Sequence, residues 1–144
     1  MKLALDELAQ ILQDAPSRLV NISDEDAGKA PAPGKWSRKQ IIGHLIDSAS
    51  NNHQRWVRGM AAARTEFPKY EQELWVNTQG YNDARWPDLV NLWLLYNRHL
   101  LHIARRMTAE QWAHECVVGD NPPASLLELV VGYVTHLRRH LSQI

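Results

Sequence analysis

Only one cysteine, Cys116, occurs in the 144 residues, so no internal disulfide can staple the fold. A lone thiol fits a reducing compartment, and the cytoplasm is the expected location. Net charge is equally scarce: sixteen Lys and Arg balance sixteen Asp and Glu, for a formal charge of zero. Without a basic excess the chain has no electrostatic footprint for nucleic acid or an anionic membrane, and neither is expected as a partner. Long apolar runs are missing too. The opening stretch MKLALDELAQILQ is broken by Asp6 and Glu7 where a signal peptide needs continuity, and nothing approaches the ~20 residues of a membrane span. Strand-like alternation of apolar and polar residues is absent. These absences leave a soluble, all-α chain as the expectation. With 44% hydrophobic residues, positions 1–144 suffice for one domain with one core.

What the chain has in excess is tryptophan and histidine, six and seven respectively beside a single phenylalanine. Both side chains join an apolar body to a polar tip, which suits a lined cavity, although a Trp-rich core would need the same composition.

Apolar residues recurring every three or four positions predict four helices. The first spans about Lys2 to Ile22, and Pro16 should kink or split it. After a connector from Gly28 to Gly34, Ser37 and Gln40 form a capping box that opens the longest helix, running to about Ala63. Residues 64–82 are polar and aromatic, too long for a tight bundle connection, and read as a lid in which Gln72, Trp75 and Tyr81 either close over a site or form an aromatic plug that stabilises the loop. The third helix covers about Asp83 to Met107, with Pro87 tolerated in its first turn. Thr108 and Gln111 cap a short turn at Trp112, and after the connector VVGDNPP a capping box of Ser125 and Glu128 opens the fourth helix, which runs to the C-terminus. Four such helices make a bundle.

His136 and His140 stand four residues apart on the last helix, so they project from one face a turn apart in chelating geometry. The spacing arises often by chance. Their position on the helical wheel says more: they flank the apolar arc of Leu126, Val130, Leu137 and Leu141, whereas Arg138 and Arg139 fall on other faces. Two partly buried imidazoles with ordinary hydrogen-bond partners would fit the same placement. A metal site in a bundle also needs a ligand from another helix, and the second helix offers His44 and His53 on different faces. His44 aligns with Ser48, Asn51 and Arg55, with Asp47 alongside, while His53 falls among Ile42, Ile46, Ala49 and Met60. The His44 stripe of short polar groups faces either a wet cavity or solvent, and the wheel allows both. His99, beside Tyr96 on the third helix, reads as a satisfied core histidine.

The segments GKWSRKQIIGHLIDS, FPKYEQELWV, GDNPP and THLRRHLSQI together resemble the DinB-like (DinB/YfiT-like) superfamily of small bacterial metalloproteins, over nearly the whole chain. The resemblance implies a four-helix bundle with a crossover connection, and a divalent metal held by one His of the second helix and two of the fourth. Those positions are His44, His136 and His140 here, which puts the His44 stripe inside and sets His53 aside. It further implies a metal-dependent enzyme, of the thiol-dependent transferase or hydrolase type, acting on a small molecule and in some relatives using a low-molecular-weight thiol. A homodimer is also implied. Imidazole ligands suit zinc or nickel, and copper or iron as well. In such a site Asn51 and Arg55 would orient a polar or carboxylate group of the substrate, and Asp47 would hold His44 or act as a base. The alternative is a non-catalytic metal or small-ligand binding bundle in which the metal is structural.

Overall fold

The computed structural model describes all of residues 1–144. Its helices are α1 (Lys2–Val20), α2 (Asp24–Gly28), α3 (Arg38–Ala61), α4 (Gln72–Gln79), α5 (Trp86–Arg105), α6 (Ala109–Trp112) and α7 (Leu126–Leu141), with a 3-10 turn at Tyr81–Asp83. The four long ones, α1, α3, α5 and α7, form the bundle. Their neighbour pairs are α3 with α5, α5 with α1, α1 with α7, and α7 with α3. α1 with α3 and α5 with α7 therefore sit diagonally, while the segment between the neighbours α3 and α5 crosses over the length of the bundle, returning to the start of α3 where Ser37 donates to Asn82 Oδ1 at 2.6 Å and Lys39 to the Asn82 carbonyl at 3.3 Å.

All three capping boxes form. Ser37 with Gln40, Thr108 with Gln111, and Ser125 with Glu128 each satisfy two otherwise orphaned amides at a helix start. Pro16 does not split the first helix, which runs unbroken through it to Val20. Pocketed against α5 and α7, the buried stripe of Leu5, Leu8, Leu12 and Leu19 outweighs the one backbone hydrogen bond that proline removes.

Three short strands correct the expectation that the chain has none. β1 (Arg64–Phe67) pairs in parallel with β2 (Glu115–Val118), and β3 (Ala124–Ser125) pairs antiparallel with β2. At two to four residues they are too short to show a period of two. An Arg64–Glu115 ion pair also links β1 to β2. The supposed lid is likewise an ordered part of the fold: β1, α4 and the 3-10 turn account for most of residues 64–82, and α4 packs on α3.

Four of the six tryptophans are core residues. Trp56, Trp86 and Trp93 are fully buried and Trp112 nearly so, each contributing about 1.5–3 kcal/mol of apolar burial. A buried hydrogen bond of 2.6 Å from the Tyr133 hydroxyl to Asn97 Oδ1 crosses the bundle diagonal from α7 to α5. No helix is long and apolar enough to cross a membrane.

Candidate metal centre

The capping box at Ser37 starts α3 just after Trp36, and two turns later the helix delivers His44 into the interior, where it is fully buried. The box at Ser125 likewise starts α7 so that His136 and His140 point at His44 from the neighbouring helix, each half-buried. Ring centroids lie 4.9 Å apart for His44 and His136, 4.7 Å for His44 and His140, and 4.5 Å for His136 and His140. One ring nitrogen from each falls within 4.8 Å of the others, and the Nε2 atoms of His44 and His136 are 3.0 Å apart.

The surroundings keep these rings neutral. Burial, reinforced by His136 and His140, pulls the pKa of His44 down to about 3. Burial, then His140 and Arg139, brings His136 to about 4. His140 is lowered by burial as well. Neutral imidazole is the ligating form. Its Nδ1 contacts Gln143 Oε1 at 3.1 Å, an outer partner that leaves Nε2 of His140 for a ligand. Trp36 packs on the other side of His44 at 5.1 Å.

The donor set fits a divalent metal. Two neutral imidazoles in Nε2 contact can share only one proton, and the Nδ1 atoms of His44 and His136 are buried without any partner. With Nδ1 unpartnered on both rings, a cation held between the Nε2 atoms would use the two lone pairs that otherwise face each other. Metal–nitrogen bonds of ~2.0–2.1 Å set tetrahedral donor atoms about 3.3 Å apart, close to the 3.0 Å between the Nε2 atoms of His44 and His136.

Beside His136 lies a cavity of about 240 Å³, walled by Ser48, Asn52 and Arg55 of α3, Tyr70 and Gln72 of the crossover segment, and Glu128, Leu129, Gly132 and Tyr133 of α7. The polar stripe therefore faces inward. Its third member is Asn52, the i+4 neighbour of Ser48, and Asn51 is outside the lining, its side chain donating to the Asp47 carbonyl oxygen at 2.9 Å. Arg55 is half-buried and its guanidinium is in no ion pair; burial lowers its pKa, and Tyr70 beside it opposes that.

Asp47 does not hold His44, whose Nδ1 is unpartnered. Instead its Oδ1 accepts from the Tyr81 hydroxyl and from Gln79 Nε2, both at 2.7 Å, while burial raises its pKa. Tyr81 is buried rather than poised at an opening, Gln72 reaches the cavity wall, and Trp75 packs on Tyr70 at 5.1 Å. His53 contacts Tyr96 on α5, away from the three-histidine cluster, and His99 is exposed, not a core residue. His99 adjoins the buried Leu100 and lies six residues beyond the buried Trp93, which left either exposure open to pattern reading. Sequence reasoning missed Trp36, Asn52 and Tyr70. Asn52, eight residues beyond His44, carried a readable signal in its spacing; Tyr70 carried none, because the crossover segment sets its position.

A model of the DinB superfamily matches residues 7–144. The chain belongs to the DinB superfamily. Among curated members, a protein of Oceanobacillus iheyensis named "putative metal-dependent hydrolase" is 25% identical over 126 residues, which cover 86% of this chain and 71% of that protein. A Bacillus mycoides protein with the same name is 26% identical, covering 97% of this chain and 83% of its own. Among solved structures, YfiT from Bacillus subtilis, described as a probable metal-dependent hydrolase with an unusual four-helix bundle topology, superposes with a TM-score of 0.83 at 20% identity, covering 97% of this chain and 83% of YfiT. The mycothiol-dependent maleylpyruvate isomerase superposes with a TM-score of 0.79 at 15% identity, covering 98% of this chain but 59% of the isomerase. This DinB-superfamily chain thus has the four-helix bundle fold of both.

Proposed function

We propose that the protein is a metal-dependent enzyme of the hydrolase or thiol-dependent transferase type, with one divalent ion, zinc or nickel, held by His44, His136 and His140. The observation that carries this reading is the convergence of three neutral imidazoles from two helices, one of which, His136, also lines the neighbouring cavity. Three protein ligands are the number found in catalytic sites, whereas structural sites close all four positions. When bound, the ion supplies Lewis acidity and lowers the pKa of a coordinated water or thiol.

Within that frame the chain's own groups have separate tasks. Arg55 supplies an unpaired cation to the cavity and favours a substrate with a carboxylate or similar anionic group, which its planar fork can take in two hydrogen bonds. Ser48, Asn52 and Gln72 offer hydrogen-bonding side chains to the rest of a small polar substrate. Asp47 is a positioning residue: through Tyr81 and Gln79 it fixes the crossover segment against α3, and Asn51 braces the same turn of helix. The names of the hydrolase and isomerase relatives support a small-molecule substrate, and the isomerase supports a thiol as co-substrate.

Metal removal tests the proposal. Chelation should abolish turnover of thiol–electrophile mixtures or activated esters while leaving the melting temperature almost unchanged. A collapse of melting, with no thiol or ester consumed under any divalent metal, would instead make the ion structural.

A further inference from the structure

A second group of imidazoles lies outside this site, where α3 meets α5. His53 of α3 and His99 of α5 approach with ring centroids 5.2 Å apart and planes at 88°. In the buried cluster the corresponding spacings are 4.5 to 4.9 Å, so the two histidines are placed nearly as closely as those that converge there. His53 Nδ1 pairs with the Tyr96 hydroxyl at 3.2 Å, and the tyrosine ring stands edge-on at 5.7 Å. That contact fixes the imidazole and leaves Nε2 as its remaining donor atom, the arrangement in which an outer partner orients a metal-binding histidine. One turn further along α5, His102 stacks on His99 at 6.3 Å. His99 and His102 are exposed and His53 is half-buried, so the group opens to solvent.

His53 is nine residues from His44, about 13 Å along the axis of α3, and it faces α5 where His44 faces α7. No atom is shared between the two groups. We propose a second, peripheral transition-metal site in which His53 and His99 bind one divalent ion, water completing the coordination and His102 stacking behind His99. Two imidazoles without a carboxylate favour copper, nickel or zinc over magnesium or calcium, and copper(II) most strongly by the general affinity order. The ion would bridge α3 and α5, so its binding should raise stability by linkage.

Titration with Cu²⁺, read by calorimetric stoichiometry and by electron paramagnetic resonance, tests this. His99→Ala, a change at an exposed position, should lower the stoichiometry of the full-length protein by one equivalent whatever the buried site binds. In His136→Ala/His140→Ala protein, one equivalent of Cu²⁺ should remain, with hyperfine structure from two or more nitrogens that disappears when His53→Ala is added. Unchanged stoichiometry in His99→Ala, or a copper signal in the double variant that survives His53→Ala, would overturn the assignment.

Discussion

Replacing Gly43 by alanine should damage the fold and the site together. In mid-helix the change by itself gains about 1 kcal/mol of helix propensity. An added Cβ, however, would lie 2.1 Å from Cδ2, 2.3 Å from Cγ and 2.4 Å from Cε2 of Tyr81. The clash is with the ring rather than its tip, and the ring is buried, so no rotamer of Tyr81 resolves it without leaving its place. Forcing extra volume into a packed position costs about 1–3 kcal/mol. Displacing the ring also withdraws the Tyr81 hydroxyl from Asp47 Oδ1, a bond to a carboxyl group valued at roughly 1.5–3 kcal/mol. The balance is a destabilisation of roughly 1.5–5 kcal/mol. Urea denaturation of the metal-free protein measures it, with Gly132→Ala as the control: that position in α7 has nothing within 4 Å of an added Cβ and should gain up to about 1 kcal/mol. Combining Gly43→Ala with Tyr81→Ala should cost less than the sum of the two single changes, because the ring that clashes is then gone. A Gly43→Ala protein as stable as the parent would refute the packing argument outright.

Single substitutions of His44, His136 or His140 by alanine should each remove one equivalent of Zn²⁺ or Ni²⁺, measured by elemental analysis after dialysis; unchanged content in all three would move the centre elsewhere. Arg55→Ala should raise KM for carboxylate-bearing substrates at least tenfold with little change in melting temperature, and Arg55→Lys should recover only part of the affinity, since an ammonium lacks the planar fork. The metal-free protein should lose stability as pH falls. His44 and His136 titrate near 3 and 4 in the fold but near 6.5 when unfolded, so between about pH 6.5 and 4 the unfolded chain binds more protons. Stability is then full above pH 6.5 and declines below it by up to ~1.4 kcal/mol per pH unit per histidine. Alanine at either position should flatten that slope in denaturation curves recorded across the range.

The features that sequence displayed best are those decided within a few neighbouring residues. Each capping box depends on one hydroxyl and one amide or carboxyl three positions on, and all three formed. Helical periodicity, similarly local, placed the long helices to within two or three residues at most ends. Failures arose where distant contacts decide. β1 and β2 pair across about fifty residues, and neither has enough length to announce itself. Tyr81 fitted either a closing aromatic or a plug, and its bond to Asp47, which lies on another element, makes it the plug. The substitution of Asn52 for Asn51 in the cavity wall shows the limit of a wheel: adjacent positions 100° apart straddle a boundary that only the packing partner defines. The direction faced by the His44 stripe had the same ambiguity, which the resemblance to the DinB superfamily resolved and the docking of α7 explains.

His44 and His136 stand 92 residues apart in sequence, so the three-nitrogen cluster exists only after the last helix has docked. A ribosome-bound chain that has released α3 but not α7 offers a metal one isolated imidazole at this location, and hence no chelate. Loading would therefore follow closure of the bundle, and an occupied centre would report that α7 has docked on α3.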